Sequence, residues 1–291
     1  MSISKRHHYI PQFLIKRFAD TDKMLYLYDK EKSAFAKEKR SPKSVFFEMN
    51  RNTLEIEGIP NDNLEKLYAE LDAKFAADLT AMAREGSITV ERLTSLLLLV
   101  SSLKWRLPAN DSLFEKEEQK HLYEYLPITI TVKNKDGSDN TEAIRHLIGS
   151  DTFKQTKRII FPFLPFYQGK NLSPGKILQV HENSFINSNN RIISILGDAP
   201  LIEDSKSTID NFGNFILPLG NAETFICTDS PLKKVNSVAF YASKDLAMFH
   251  NAQKYVVCSS KDHLVAIIET YKELERTRQT HLITEHIFKF V

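Results

Sequence analysis

The sequence predicts an α+β fold: a mostly helical N-terminal half, about residues 1–166, packed on a strand-rich C-terminal half, about residues 167–291, in one compact unit. Three observations lead there. Apolar residues recur at helical spacing through residues 61–85. The stretch Thr89 to Arg106 is apolar around much of its girth, as a helix at the centre of a core is. Beyond Gly175 the pattern changes to short alternating runs separated by turn residues.

In chain order, Pro11 suits the first turn of a helix, and Ile10, Leu14 and Phe18 fall on one face of it. Met24 to Tyr28 reads as a strand, with Ala34-Phe35-Ala36 returning as its hairpin partner. Leu54 and Ile56 mark another short strand. The helix over 61–85 carries Leu64, Leu67, Leu71, Phe75, Leu79 and Met82, and Gly86 ends it. The apolar helix follows and closes at Pro108. A charged helix spans about Ser112 to Tyr125, and Pro127 to Val132 alternates as a strand. Thr141 to Ile148 and Thr152 to Leu164 are helical, and Gln168 to Gly175 is a loop. Strands are expected at Ile177–His181, Ile192–Leu196, Phe212–Leu217, Phe225–Thr228 and Val238–Tyr241, with a last amphipathic helix over 262–276.

Composition sets outer bounds on function. The formal net charge is +2, too balanced to argue for nucleic acid without a local patch. The two cysteines, Cys227 and Cys258, make no disulfide framework and fit a reducing, cytoplasmic setting. The opening residues lack the apolar stretch of a signal peptide, and Leu96 to Val100 is far too short to span a membrane. With nine glycines, no Gly-rich phosphate loop is present, and no Cys/His zinc cluster is spaced for metal. His281 and His286 are five apart, which does not place both on one helix face.

Two segments carry a family resemblance. His7-His8-Tyr9-Ile10-Pro11-Gln12-Phe13-Leu14, running on to Arg17-Phe18-Ala19, resembles the opening signature of the domain-of-unknown-function family 4238. Phe225-Ile226-Cys227-Thr228-Asp229-Ser230-Pro231-Leu232 is similar to that family's later Ser/Thr-Asp-Asn-Pro turn, with Ser230 in place of the usual Asn. Asn63 to Met82, Trp105-Arg106-Leu107-Pro108 and Tyr241 to Asp245 give fainter echoes, the last where the family has a strand end. The resemblance implies an architecture and brings no assigned activity.

The residues themselves suggest a chemistry. Imidazole serves as acid, base or metal ligand near neutrality, which nominates His7 and His8, of which at most one lines a given pocket. Asp229 follows a short strand and could orient an imidazole or bind a divalent metal through oxygen. Glu70 borders the apolar stripe, where a carboxylate would seek Arg106 or Arg17. Arg17 and Arg106 are predicted substrate contacts that would hold phosphate as bidentate forks, with Gln12 grouped beside them and Arg51 a further candidate. Cys227 as a nucleophile is the weaker alternative to a buried strand cysteine.

Together these residues predict a phosphodiester hydrolase, a nuclease of a bacterial antiviral-defence or toxin type with nucleic acid as partner. The contrasting expectation is a non-catalytic binding or regulatory protein. In it His7 and Tyr9 reach the Thr228–Asp229 turn and lock the N-terminal helix to the sheet. Convergence on an open pocket favours the enzyme; burial with saturated hydrogen bonds favours the lock.

Overall fold

The computed structural model describes residues 4–56, 59–85, 89–118, 131–167, 185–187, 193–204, 213–228, 235 and 237–291. The chain opens with a short strand, β1 (Arg6–His8), then a single helical turn and a half, α1 (Gln12–Lys16), entered through Pro11. Ile10, Leu14 and Phe18 are fully buried, as their spacing predicts. β2 (Tyr26–Asp29) and β3 (Ala34–Phe35) form the expected hairpin with Tyr28 opposite Phe35. β4 (Phe47–Met49) returns to pair with β1, and β5 (Leu54–Ile56) pairs with β6 (Ile59–Asn61).

Two long helices follow, α2 (Asn63–Glu85) and α3 (Val90–Arg106). Thr89 caps α3 by accepting the Arg92 amide, and all but a few of the helix's apolar positions are buried, which makes it the central core helix the sequence predicts. The stripe on α2 is rotated slightly from the expected one. Leu64, Phe75, Leu79 and Met82 are buried, but Leu67 is 38% exposed and Tyr68 takes the inward position. A hydroxyl-bearing ring goes inside there because Arg106 stacks on its face. The predicted stop at Gly86 lies outside the described residues.

The charged segment gives α4 (Asp111–Glu118), shorter within the described residues than the expected helix; most of the Pro127–Val132 run also lies outside them, and Thr131–Val132 is not a strand. α5 (Thr141–Gly149) and α6 (Asp151–Ile160) confirm the next two helices, and α7 (Leu164–Tyr167) is one turn. Trp105, Phe114, Phe161 and Leu164 form a separate aromatic cluster that ties this region to the end of α3.

The later strands are β7 (Phe185–Asn187), β8 (Ile195–Gly197), β9 (Ile202–Glu203), β10 (Phe215–Pro218), β11 (Glu223–Cys227) and β12 (Tyr255–Cys258). The expected loop at Gln168–Gly175 and strand at Ile177–His181 lie outside the described residues. Val238–Tyr241 is not a strand. It opens α8 (Val238–Asn251), capped by the Ser237 hydroxyl, which accepts the Phe240 amide. Four residues of alternating size fit either period, and the inward set Phe240, Lys244, Ala247 and Met248 is helical. α9 (Lys261–Arg276) is the predicted amphipathic helix, and α10 (Leu282–Ile287) follows it.

Among the described residues the strands form two four-stranded antiparallel sheets, β3-β2-β12-β8 and β7-β11-β10-β9, beside the small β1–β4 and β5–β6 pairs. β2 and β3, from the early chain, therefore share a sheet with β8 and β12 from the late chain. Alternate residues enter different cores. Leu196, Leu217, Phe225 and Val257 face the helices α1 to α3, while Ile195, Ile216, Ile226 and Val256 face α8 to α10. Strands covered on both faces are apolar on both faces, which is why they read as nearly continuous hydrophobic runs. Helices and sheets thus form one α+β unit. No helix among the described residues is long and apolar enough to cross a membrane.

Candidate functional site

Strand pairing orients the opening motif. β1 runs antiparallel to β4 with His7 opposite Glu48 and His8 opposite Phe47. Consecutive strand residues face opposite sides, so the two imidazoles enter different surroundings.

His7 is 0% exposed. Its Nδ1 accepts the Asn52 backbone N–H at 2.7 Å and its Nε2 donates to the Ser4 carbonyl at 2.9 Å. Asn52 is itself held, its side-chain amide donating to Glu65 at 2.8 Å. Nδ1 therefore closes the loop after β4 onto β1, and Nε2 holds Ser4 just ahead of that strand. The turn after Thr228, to which the lock was expected to reach, lies outside the described residues.

His8 is 8% exposed and less saturated. The Gln12 side-chain amide donates to its Nδ1 at 3.3 Å, one helical turn along. Its Nε2 is buried without a hydrogen-bond partner. Burial holds the imidazole below its ordinary value of 6.5, and the nearby Arg106 charge acts in the same direction, while the backbone at Lys43 opposes both.

Arg106 ends α3 and is 4% exposed. It grips Asp72 with both terminal nitrogens, at 2.6 and 3.2 Å, and Nη2 also donates to the His8 carbonyl at 3.0 Å. Its guanidinium carbon lies 4.3 Å from the centre of the Tyr68 ring. Tyr68 and Asp72 are four apart on α2, so one face of that helix supplies both the platform and the counter-charge.

Glu70 does not take the role predicted for it. It is exposed on α2, and the carboxylate that meets Arg106 belongs to Asp72, two residues on and about 200° around the helix. Arg17 also has a different acid. Its Nη2 pairs with the Glu223 carboxylate at the start of β11, and its Nε donates to the Leu219 carbonyl at 2.7 Å. Arg51 is bound by Glu48 at 2.6 Å and Asp111 at 2.5 Å, and Asp111 also accepts from Arg158 at 2.8 Å. Each arginine nominated for phosphate thus already faces a carboxylate.

Asp229, the remaining predicted catalytic residue, lies outside the described residues. β11 stops two residues before it, at Cys227, which is buried in the core. Cys258 is buried too, and burial pushes its thiol up to about 12, far from thiolate chemistry. Among the described residues no three His, Cys, Asp or Glu side chains converge as a metal would require.

The arrangement holds several residues that the sequence did not single out: Tyr68, Asp72, Asn52, Asp111 and Arg158. The four-residue spacing of Tyr68 and Asp72 was the available signal, since it put a carboxylate and an aromatic on one helical face. Asp111 and Arg158 gave none, because their contact depends on how α4 and α6 pack.

Compared with known proteins, the chain matches over residues 6–262 the model of a family described as a protein of unknown function, DUF4238. No curated protein and no solved structure matches it.

Proposed function

Because the chain belongs to the DUF4238 family of proteins of unknown function, we propose a reading from its own geometry: a non-catalytic binding or regulatory protein whose opening motif is a structural lock. The observation that supports it most is the saturation of His7 at 0% exposure, with both ring nitrogens committed to Ser4 and Asn52. The arginines add to it. Arg17 through Nε and Nη2, and Arg106 through its two terminal nitrogens, donate to carboxylates and backbone carbonyls that join α1 to the β10–β11 hairpin and α3 to α2 and β1. An incoming phosphate would have to displace Asp72 or Glu223 from an ion pair already formed.

A second reading, a phosphodiester hydrolase, keeps one specific observation in its favour. The Nε2 of His8 is a buried ring nitrogen with no hydrogen-bond partner; because Nδ1 accepts from Gln12, Nε2 carries the proton of the neutral ring and can donate to a substrate oxygen. In that reading His8 Nε2–H donates to a phosphoryl oxygen, Gln12 fixes the ring and its tautomer, and Arg106 positions the motif from behind through the His8 carbonyl.

The two readings separate in one experiment. The purified chain is incubated with mixed single- and double-stranded RNA and DNA, with magnesium, with manganese and with chelator, beside His8→Gln and His7→Gln. Cleavage that disappears in a folded His8→Gln protein would overturn the lock and establish the hydrolase. No cleavage under any condition, with His7→Gln lowering the melting temperature, is the result expected.

A further inference from the structure

A cleft of about 310 Å3 opens among the last three helices. α9 and α10 each pack along α8 but touch one another far less, so they splay and leave α8 as a floor between them. Ser243 and Leu246, three apart on α8, line that floor, while Leu274 of α9 and Ile283 of α10 form the two walls. Leu246 and Leu274 are only partly buried, and Leu282, beside Ile283, is 43% exposed. The turn between the walls is fixed. α9 ends in a Schellman motif: the Gln279 N–H donates to the Leu274 carbonyl at 2.8 Å and the Arg278 N–H to the Glu275 carbonyl at 3.0 Å, with Arg278 left-handed at φ 60°. That motif sets Gln279 at the edge of the cleft.

The polar groups of the cleft are not used by the fold. Thr270, in the α9 wall, returns its hydroxyl to the Ala266 carbonyl at 2.8 Å, as hydroxyls on helices commonly do. Ser243 makes no such bond, nor any other among the described residues, although it is only 9% exposed. Its hydroxyl holds a donor and an acceptor that a molecule entering the cleft can meet. The Gln279 amide and the His286 imidazole add two further groups without a side-chain hydrogen bond among the described residues. No lysine, arginine, aspartate or glutamate lines the cleft.

We propose that the cleft between α8, α9 and α10 is a binding site for a small, neutral, mainly apolar molecule whose one hydrogen-bonding group meets Ser243. Partly exposed leucines gain by being covered, which calls for an apolar body. The Ser243 hydroxyl on the floor calls for one donor or acceptor. An ionised head group would lose its hydration here without a counter-charge, which excludes it. The volume lies at the low end of small-molecule sites, about 300–1,000 Å3. It suits a compound of two or three rings. A protein partner would need about 20–30 residues a side, far more than line this cleft. The family match ends at residue 262, so Thr270 to His286 lie beyond it, and the site stands apart from either reading of the opening motif.

The test titrates the full chain with a matched pair of fluorescent probes at about pH 8, where imidazole is neutral. N-phenyl-1-naphthylamine is neutral and carries one N–H. 1-Anilinonaphthalene-8-sulfonate has the same skeleton and a fixed negative charge. The neutral probe is expected to bind saturably, one per chain, and about tenfold more tightly than the sulfonate. Ser243→Ala should weaken the neutral probe about fivefold, the loss of one hydrogen bond. Leu274→Trp should fill the cleft and abolish binding. Gln279→Trp obstructs the same space from an exposed position, which covers the case in which the first variant fails to fold. Circular dichroism melts identify the folded variants. No saturable binding, equal binding of the two probes, or unchanged affinity in Ser243→Ala or in a folded tryptophan variant overturns the proposal. So does light scattering that finds a wild-type dimer which Leu282→Glu dissociates, since a second copy would then cover the cleft.

Discussion

The Arg106 guanidinium donates to the backbone carbonyl of His8 at 3.0 Å, so the end of the central helix grips the first strand through its main chain. The same guanidinium is gripped by Asp72 and lies over the Tyr68 ring. Three segments distant in sequence meet at one planar cation. That geometry needs the fork of an arginine; a lysine reaches one partner at a time.

Asp72→Asn should therefore destabilise the chain by about 3 kcal/mol, because it leaves a buried guanidinium without its counter-charge. Arg106→Lys should cost about 1–3 kcal/mol, the loss expected when the His8 carbonyl is left unsatisfied. Urea denaturation at neutral pH measures both. A change below about 0.5 kcal/mol for Asp72→Asn would mean that water reaching its partly exposed carboxylate already screens the pair.

Acid stability follows from His8. Its folded-state pKa is depressed by burial below the ordinary 6.5. The unfolded chain then binds the proton first as the pH falls. Stability from this group is complete above about pH 6.5 and declines as the pH drops toward the folded value, levelling off below it. Urea midpoints taken across that window should fall toward acid in wild type and fall less in His8→Gln. Some slope should survive, since His250 is depressed as well by burial and by the Lys30 charge. Equal slopes in the two proteins would show that His8 is protonated alike in both states.

Gly197 offers a packing test between the β3-β2-β12-β8 sheet and α8. It lies in β8 opposite Val256, and a Cβ there would come 2.8 Å from the Ala252 Cβ and 3.2 Å from the Met248 carbonyl oxygen. Neither neighbour is the loose end of a long side chain, so the strand and α8 would have to separate. Gly197→Ala is expected to cost about 1–3 kcal/mol. A thermal melt with an unchanged midpoint would mean that α8 can shift without loss.

How much of this was legible depends on whether the cause was local. The burial of Ile10, Leu14 and Phe18 follows from their spacing and Pro11, and the central position of α3 follows from its apolar girth. The exchange of Leu67 for Tyr68 was hidden, because it is decided by Arg106 stacking from another helix. The same holds for Glu70 and Asp72: both are acids on α2, and the sequence does not say which way the helix is rolled. At the candidate site the residue types were visible and their partners were not. His7 looked like chemistry until Ser4 and Asn52 were seen to occupy its ring, and His8 differs from it by which face of β1 it leaves.

Val238 to Tyr241 is the instructive misreading, and it carries a final prediction. Read alone, the four residues alternate as a strand does, and the helical period shows once Lys244, Ala247 and Met248 are counted with them. What starts the helix is Ser237, whose hydroxyl accepts the Phe240 amide at 3.2 Å in an extended N-cap. Without it, that amide loses its side-chain acceptor at the end of a helix that also carries Lys244 and Asp245. Ser237→Ala should lower stability by about 1 kcal/mol, and Ser237→Asp should restore it, since aspartate caps as well and adds a favourable charge at the helix N-terminus. Melting temperatures of the three proteins decide the matter. If alanine and aspartate both match serine, the cap contributes nothing and the helix start is set by the packing of Phe240 and Tyr241 instead.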